Sequence, residues 1–292
     1  MTRVIKIGGR AQQHPSLAAL IAAQWQLGAH RMVLVHGGGD TVTRLQQAFG
    51  IEARFDGGRR ITSAEDVDLV RMALSGLANK QLVSALVSEG VAAVGVSGED
   101  DGLIGASPVD PARLGHVGAV TTVRPAILHA LLDAGRVPVV SPVSRNVSNT
   151  LGAALNVNGD DAAAVIAIAV DATELLLVSD VPGVLVDGDV IPALSAEGAR
   201  TLLTKGIAVK GMAAKLEAAI VALEGGIARV RIGDLSLLKD ATIGTTLARS
   251  NSRKLTQDAG RRTQVVQNDA EASDSSDLDN VSGSMASAGV RQ

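Results

Sequence analysis

The sequence has no cysteine and no tyrosine, and only one tryptophan and two phenylalanines in 292 residues. Without cysteine there is no disulfide, no thiolate nucleophile and no thiolate-bound metal. Aromatics at 1% leave no stacking platform of the kind that binds single-stranded nucleic acid. A formal charge of −3 gives no general attraction to nucleic acid or to an anionic membrane. The five histidines, His14, His30, His36, His116 and His129, fall at no metal-ligand spacing, so no metal-binding residues are expected. No apolar run approaches the roughly 20 residues of a membrane span, and no basic-then-apolar signal region opens the chain. These absences predict a soluble cytoplasmic protein with neither a nucleic-acid nor a membrane partner.

What is present is aliphatic. Hydrophobic residues make up 46% of the chain, so the core must be built from Ala, Val, Leu and Ile. That suits a mainly parallel open sheet between Ala-rich helices, an α/β three-layer αβα sandwich. The opening stretch Val4-Ile5-Lys6-Ile7-Gly8-Gly9 reads as a β-branched strand that delivers one lysine and ends in two glycines. Strand, cation, Gly-Gly and then a helix over 16–28 is a pattern suited to an anion. Met32 to Val35 repeats it, running into His36-Gly37-Gly38-Gly39 and a helix over about 41–49. Two such units in succession predict a parallel sheet whose strand ends share one ligand-binding edge.

Farther on, residues 52–62 read as an irregular arm with a cation pair, and Ser63 to Glu89 as one long helix opened by a Ser63–Asp66 capping box. Val91 to Val96 is a buried strand, and the Gly-, Pro- and Asp-rich 97–123 stretch predicts a β-hairpin lid over the sheet edge. A helix over 126–135 and a strand over 137–143 lead through the apolar Leu151 to Leu155 segment to Asn156-Val157-Asn158-Gly159-Asp160-Asp161 and an Ala-rich helix. Leu175 to Val178 is a buried strand ending at Ser179-Asp180; helices over 195–205 and 210–224, a strand over 228–232 and a last one near 242–247 follow. From about residue 251 the composition turns to Ser, Asp, Asn, Gln and Gly, and 251–292 is expected to be disordered.

Four polar clusters thus fall at strand ends, with a second separated lysine, Lys215, near the start of a helix opened by Gly211-Met212. Two lysines and an aspartate on one edge fit phosphoryl transfer, which needs positioning and charge stabilisation above all. The pattern G-x-x-x-x-G-K-[ST] is absent, as is a strand-linked G-x-G-x-x-G.

In combination, K-x-G-G at Lys6, V-H-G-G-G at Val35, R-I-T at Arg60, L-G-x-V-G at Leu114, N-V-N-x-D at Asn156, S-D-V-x-G at Ser179 and G-M-x-x-K at Gly211 resemble the amino acid kinase family, and within it the acetylglutamate kinases, over roughly residues 1–248. The resemblance implies the carbamate kinase-like fold as one domain over 1–250, with about 1–170 on the acyl-substrate side and about 171–250 on the nucleotide side. It implies ATP as co-substrate with Mg²⁺, and transfer to the γ-carboxylate of N-acetyl-L-glutamate in arginine biosynthesis.

By the same resemblance Lys6 and Lys215 stabilise the transferring phosphoryl group and Asp160 orients both lysines. Gly38, Gly39, Arg60 and Asn156 bind the acyl substrate; Gly8, Gly9, Asp180, Val181, Gly183 and Val209 border the nucleotide. Arg59 stands beside Arg60, and the R-I-T spacing favours Arg60 as the carboxylate-holding residue. His36 reads as an ordinary buried or turn histidine, Asp161 as a helix N-terminal charge.

Gly159 occupies a position where many acetylglutamate kinases carry Ala, which keeps open a relative acting on carrier-linked aminoadipate or glutamate. A catalytically silent ligand-binding module on the same fold is the reading from another class. Arginine-inhibited family members carry an additional N-terminal helix; the chain opens at its first strand, so the resemblance implies a homodimer without that inhibition.

Overall fold

The computed structural model describes residues 1–28, 31–148 and 153–248; the expectations for the tail and for Leu151 fall outside these. Its frame is a sheet of eleven strands among the described residues. In chain order the strands and helices that matter here are β1 (Arg3–Ile7), α1 (Leu17–Gln26), β2 (Met32–His36) and α2 (Gly39–Ala48). A two-stranded hairpin, β3 (Phe55–Asp56) with β4 (Arg59–Arg60), precedes α3 (Ala64–Arg71) and α4 (Asn79–Ser88). Then come β5 (Ala93–Gly98), β6 (Ile104–Pro108), β7 (Val117–Val123), α5 (Ala126–Asp133), β8 (Val137–Asn146), β9 (Ala154–Val157) and α6 (Gly159–Ala169). The last part holds β10 (Glu174–Val178), α7 (Ala196–Thr204), α8 (Lys210–Glu224), β11 (Arg229–Gly233) and β12 (Thr245–Ala248).

At the centre, β1 lies between β10 and β2, all three parallel, so each strand ends on the same side. Their side chains alternate as the pleat requires. Val4, Val33, Val35, Leu175 and Leu177 enter one core with the alanines of α6 and the apolar face of α8. Ile5, Ile7, Met32, Leu34, Leu176 and Val178 enter the other, against α1 and α4. These two cores make the three-layer sandwich. Lys6 shares the phase of Val4, which turns it toward the α6–α8 side.

The third polar cluster, Asn156 to Asp160, reaches the edge by a different route from the parallel run expected. β8 pairs with β2 only as far as Val35↔Val140 and then overhangs it. β9 returns antiparallel along that overhang, with Asn156 opposite Val143. The chain therefore descends to the level where β1 and β2 stop as it passes Asn158 and opens α6. Asn158 caps that helix, accepting from the Asp160 amide at 2.7 Å.

Other expectations are corrected in detail. The predicted lid is a hairpin, but β6 pairs with β8 and β7 with β9, so it belongs to the main sheet. The 63–89 helix starts at the Ser63–Asp66 capping box as expected, yet carries a π-helical stretch, Met72–Ala78, in its middle. The segment after Gly9 is a 3₁₀ turn, Gly9–Gln13, before α1 begins. The strand expected near 242–247 is Thr245–Ala248, β12, which lies between β11 and a three-residue strand, Ala193–Ser195.

Candidate active site

Lys6 and Lys215 are both buried and share one carboxylate. Lys6 Nζ is 2.9 Å from Asp160 Oδ1, and Lys215 Nζ is 3.3 Å from Oδ2. Lys6 comes from a central strand, Lys215 from the second turn of α8, and Asp160 from the first turn of α6, where the helix N-terminus favours a negative charge. Burial pushes the Asp160 pKa up, but the pull of Lys6 and then Lys215 prevails and holds it below the usual carboxylate range. Burial and the nearby Lys6 lower the Lys215 ammonium. A buried charge persists only when paired, and here each of the three groups supplies the others' partner.

Beside this triad lies a cavity of about 240 Å³. Lys6, Gly8, Gly9, Gly38, Gly39, Arg59, Arg60, Asn156 and Asp160 all contribute to its lining. Arg60 is buried and fixed: Nη2 donates to the Gly39 carbonyl at 2.9 Å and Thr43 Oγ1 at 2.8 Å, and Nη1 donates to Gln46 Oε1. Gln46 in turn donates to Asp66 Oδ1 at 2.6 Å. The guanidinium also lies 4.7 Å from the centre of the Phe55 ring, its cross-strand partner. Gly57 and Gly58 between those strands have φ of 55° and 78°, the backbone a two-residue hairpin turn demands. The sequence arm is thus a tight hairpin.

Asn156 donates to Thr62 Oγ1 at 3.1 Å, and the Thr62 hydroxyl donates to the Arg60 carbonyl. Thr62 N–H donates to the Leu114 carbonyl and the His116 N–H to the Thr62 carbonyl, with Gly115 at φ 69° between. The L-G-x-V-G motif is therefore a clasp on the Arg60–Thr62 segment. Sequence reasoning missed Thr43, Gln46 and the task of Thr62; only the R-I-T motif hinted at the last.

The glycines divide by task. Gly8 N–H is committed to the Val178 carbonyl and Gly37 N–H to the Ile7 carbonyl, so neither amide is free for an anion. Gly8 instead leaves the space that the Lys6 ammonium occupies. Gly9 has φ 55° and lies against Asp180, whose Oδ1 would be 3.5 Å from an added Cβ. Gly38 has φ 140° and faces Leu74 of the π-helical stretch.

Asp180 is held by Arg10, with Nη2 to Oδ2 at 3.0 Å, and this hydrogen bond lowers its pKa. Of the other residues expected around the nucleotide, Gly183 packs against Val190 and Thr245 and shapes its own loop. Val181 precedes it, half-buried, and Val209 caps α8 with an exposed side chain. None of these three is among the residues that line the cavity beside the triad. His36 is wholly buried; burial lowers its pKa to about 4, and it is neutral, with Nδ1 on the Gly37 carbonyl and Nε2 on Asn79.

Two ammonium groups on one fixed carboxylate, beside a small cavity that two guanidinium groups also line, make a site suited to a polyanionic ligand. That is the class of site that phosphoryl transfer uses. Comparison with known proteins agrees: the model of the amino acid kinase family matches residues 1–234, and the chain belongs to that family. An acetylglutamate kinase of Solibacter usitatus is 43% identical over 237 residues, 80% of this chain and 90% of that protein. One of Chloroflexus aurantiacus is 40% identical over 239 residues, 81% and 93% of the two chains. The crystal structure of smu.665 from Streptococcus mutans superimposes with a TM-score of 0.77 at 28% identity, covering 85% of this chain and 99% of that one.

Proposed function

We propose that the protein transfers the γ-phosphoryl group of ATP to the γ-carboxylate of N-acetyl-L-glutamate, giving N-acetyl-L-glutamyl 5-phosphate and ADP, the second step of arginine biosynthesis. The observation that carries this reading is the sharing of Asp160 by Lys6 and Lys215 beside a cavity that Lys6, Asp160 and Arg60 all line. It is supported by relatives of 40–43% identity that are acetylglutamate kinases.

In this reaction a γ-carboxylate oxygen bonds to the γ-phosphorus while the bond to the β,γ-bridging oxygen breaks. No proton moves, because a glutamate-type carboxyl is already ionised at neutral pH, its reference pKa being about 4.3. Lys6 stabilises charge on the phosphoryl oxygens in flight, and Lys215 does so from the nucleotide side. Asp160 holds both ammonium groups in place before the substrates arrive, so little reorganisation is needed during transfer. Arg60 and Asn156 hold the α-carboxylate end, and Gly9 and Asp180 border the nucleotide phosphates. Mg²⁺ binds ATP sites through phosphates and one or two carboxylates rather than a protein cage; Asp180, exposed beside Gly9, fits that role, and the ion would neutralise the β and γ phosphates. Residues up to about 170 form the acyl side and those from about 171 to 250 the nucleotide side.

The exposed Met72 and Leu77 on the long helical rod support a homodimer, and a cytoplasmic location accords with a biosynthetic kinase. The deciding experiment is a coupled ADP-release assay with N-acetyl-L-glutamate. Turnover that requires both ATP and the acyl substrate is expected; its absence rejects the proposal.

A further inference from the structure

Arg59 and Arg60 are consecutive on β4, so their side chains leave opposite faces of the hairpin. Arg60 turns to α2 and spends three N–H groups on Gly39, Thr43 and Gln46. Arg59 turns to the start of α6, where Nη2 lies 3.7 Å from Asp161 Oδ2. Both arginines line the same cavity. Arg59 Nη1 is itself buried, with no hydrogen-bond partner among the described residues. A buried donor left unpaired is costly, and in a side chain that lines a ligand cavity a small rotation lets a ligand complete it.

We propose that Arg59 is a substrate-binding residue in its own right, its guanidinium donating to an oxygen of the acyl substrate, and that Asp161 is the positioning residue that holds it against the cavity wall. The inference rests on the reading of this cavity as the acyl-substrate site. Two guanidinium groups call for a substrate with two acceptor groups beyond the phosphorylated carboxylate. An N-acylated amino dicarboxylate offers them, an α-carboxylate and an amide carbonyl. A free α-ammonium group would instead sit beside two cations, so the pair also selects against the unacylated amino acid. The surroundings favour this division of labour. Burial pushes the Asp161 pKa up to about 6, Arg59 draws it down, and Asp160 and Glu217 oppose its charge. A carboxylate kept in so unfavourable a place fits a functional task more readily than a stabilising one.

The test is steady-state kinetics on the full chain with Arg59→Ala, Arg59→Lys, Asp161→Asn and the Arg59→Ala/Asp161→Asn double variant. Arg59→Ala is expected to raise KM for N-acetylglutamate by about tenfold while KM for ATP stays within about twofold. Arg59→Lys should recover part of that loss. Asp161→Asn should raise the same KM by roughly three- to tenfold, and the double variant should be no worse than Arg59→Ala alone. An acyl KM within about twofold of the parent in Arg59→Ala overturns the binding role. Additive losses in the double variant overturn the positioning role. If Arg59→Ala does not fold, unchanged acyl KM values in both Arg59→Lys and Asp161→Asn overturn the proposal. A parent enzyme with no acetylglutamate-dependent ADP release rejects the function itself, and with it this inference, which separates the two failures.

Discussion

The Lys6 ammonium occupies the space in which a side chain on Gly8 would begin. Gly8 itself is extended, at φ −129° and ψ 169°, a conformation open to any residue, so sterics with Lys6 alone require the glycine. Gly8→Ala is therefore expected to fold, since the obstructing atom is the mobile end of a long side chain. The methyl group would drive Nζ away from Asp160. A fall in kcat of about a hundredfold is expected, with a melting temperature within a few degrees of the parent. Parental kcat in a folded variant would show that the Lys6 position is immaterial.

Removing the cation outright goes further. Lys6→Ala should lower kcat by two to three orders of magnitude, the scale of losing one pre-placed charge-stabilising group. Nucleotide affinity, measured by calorimetry, should change far less, because that end of the site is bordered by Gly9 and Asp180. Unaffected turnover would refute the assignment of Lys6.

The clasp around Thr62 predicts an effect at a distance from the reacting atoms. Gly115 has φ 69°, and an added Cβ would run into the Thr62 carbonyl, a backbone atom that cannot step aside. Gly115→Ala should lower stability by roughly 1–3 kcal/mol, the scale of a strained backbone position. The segment it holds carries Arg60, so KM for the acyl substrate should rise more than KM for ATP. Equal shifts in both would mean general loosening.

Asp161 sets a pH dependence whose direction follows from its raised pKa of about 6. Between roughly pH 4, where an unfolded aspartate titrates, and about 6, the folded chain binds the proton more tightly. The contribution of Asp161 to stability therefore declines as pH rises through that window and stays lost above it. Arg59, Lys6, Asp160 and Glu217 are the charges that act on it. In paired thermal melts, the melting temperature of Asp161→Asn relative to the parent should climb from pH 4 to 6 and then level off. A difference independent of pH would show that Asp161 titrates normally.

His36 works in the opposite sense. Its pKa is lowered to about 4 by burial, so the unfolded chain binds the proton more readily between about 4 and the ordinary value of roughly 6.5. Stability from this group is present above that window and is lost as pH falls through it. His36→Gln should flatten the acid limb of the stability curve, measured by urea unfolding at pH 4 to 7.

Much of the arrangement was legible in the residues. Val4 to Ile7, Met32 to Val35 and Leu175 to Val178 are short aliphatic runs bounded by glycine or serine, and each became a central strand. Ser63 and Asp66 marked a helix start because the capping box is a local contact. The 104–123 hairpin was legible as a hairpin but not as part of the main sheet, since its partners β8 and β9 are far along the chain. The π-helical stretch at 72–78 has no distinct local pattern. Arg59 and Arg60 are identical by sequence, and only the two faces of a two-stranded hairpin tell them apart.

The aliphatic parallel core, the family and the residue types that meet negative charge in transit could be read from the residues alone, because these depend on composition, periodicity and short motifs. Only the fold brings Asp160 between Lys6 and Lys215, which lie 154 and 55 residues from it in the chain, through the overhang of β8 and the return of β9. The fold also sets the Lys6 ammonium in the space beside Gly8 and turns Arg59 to Asp161. The physical reason is common to all three. Distances between groups remote in sequence are settled by strand register and packing, which no local preference records.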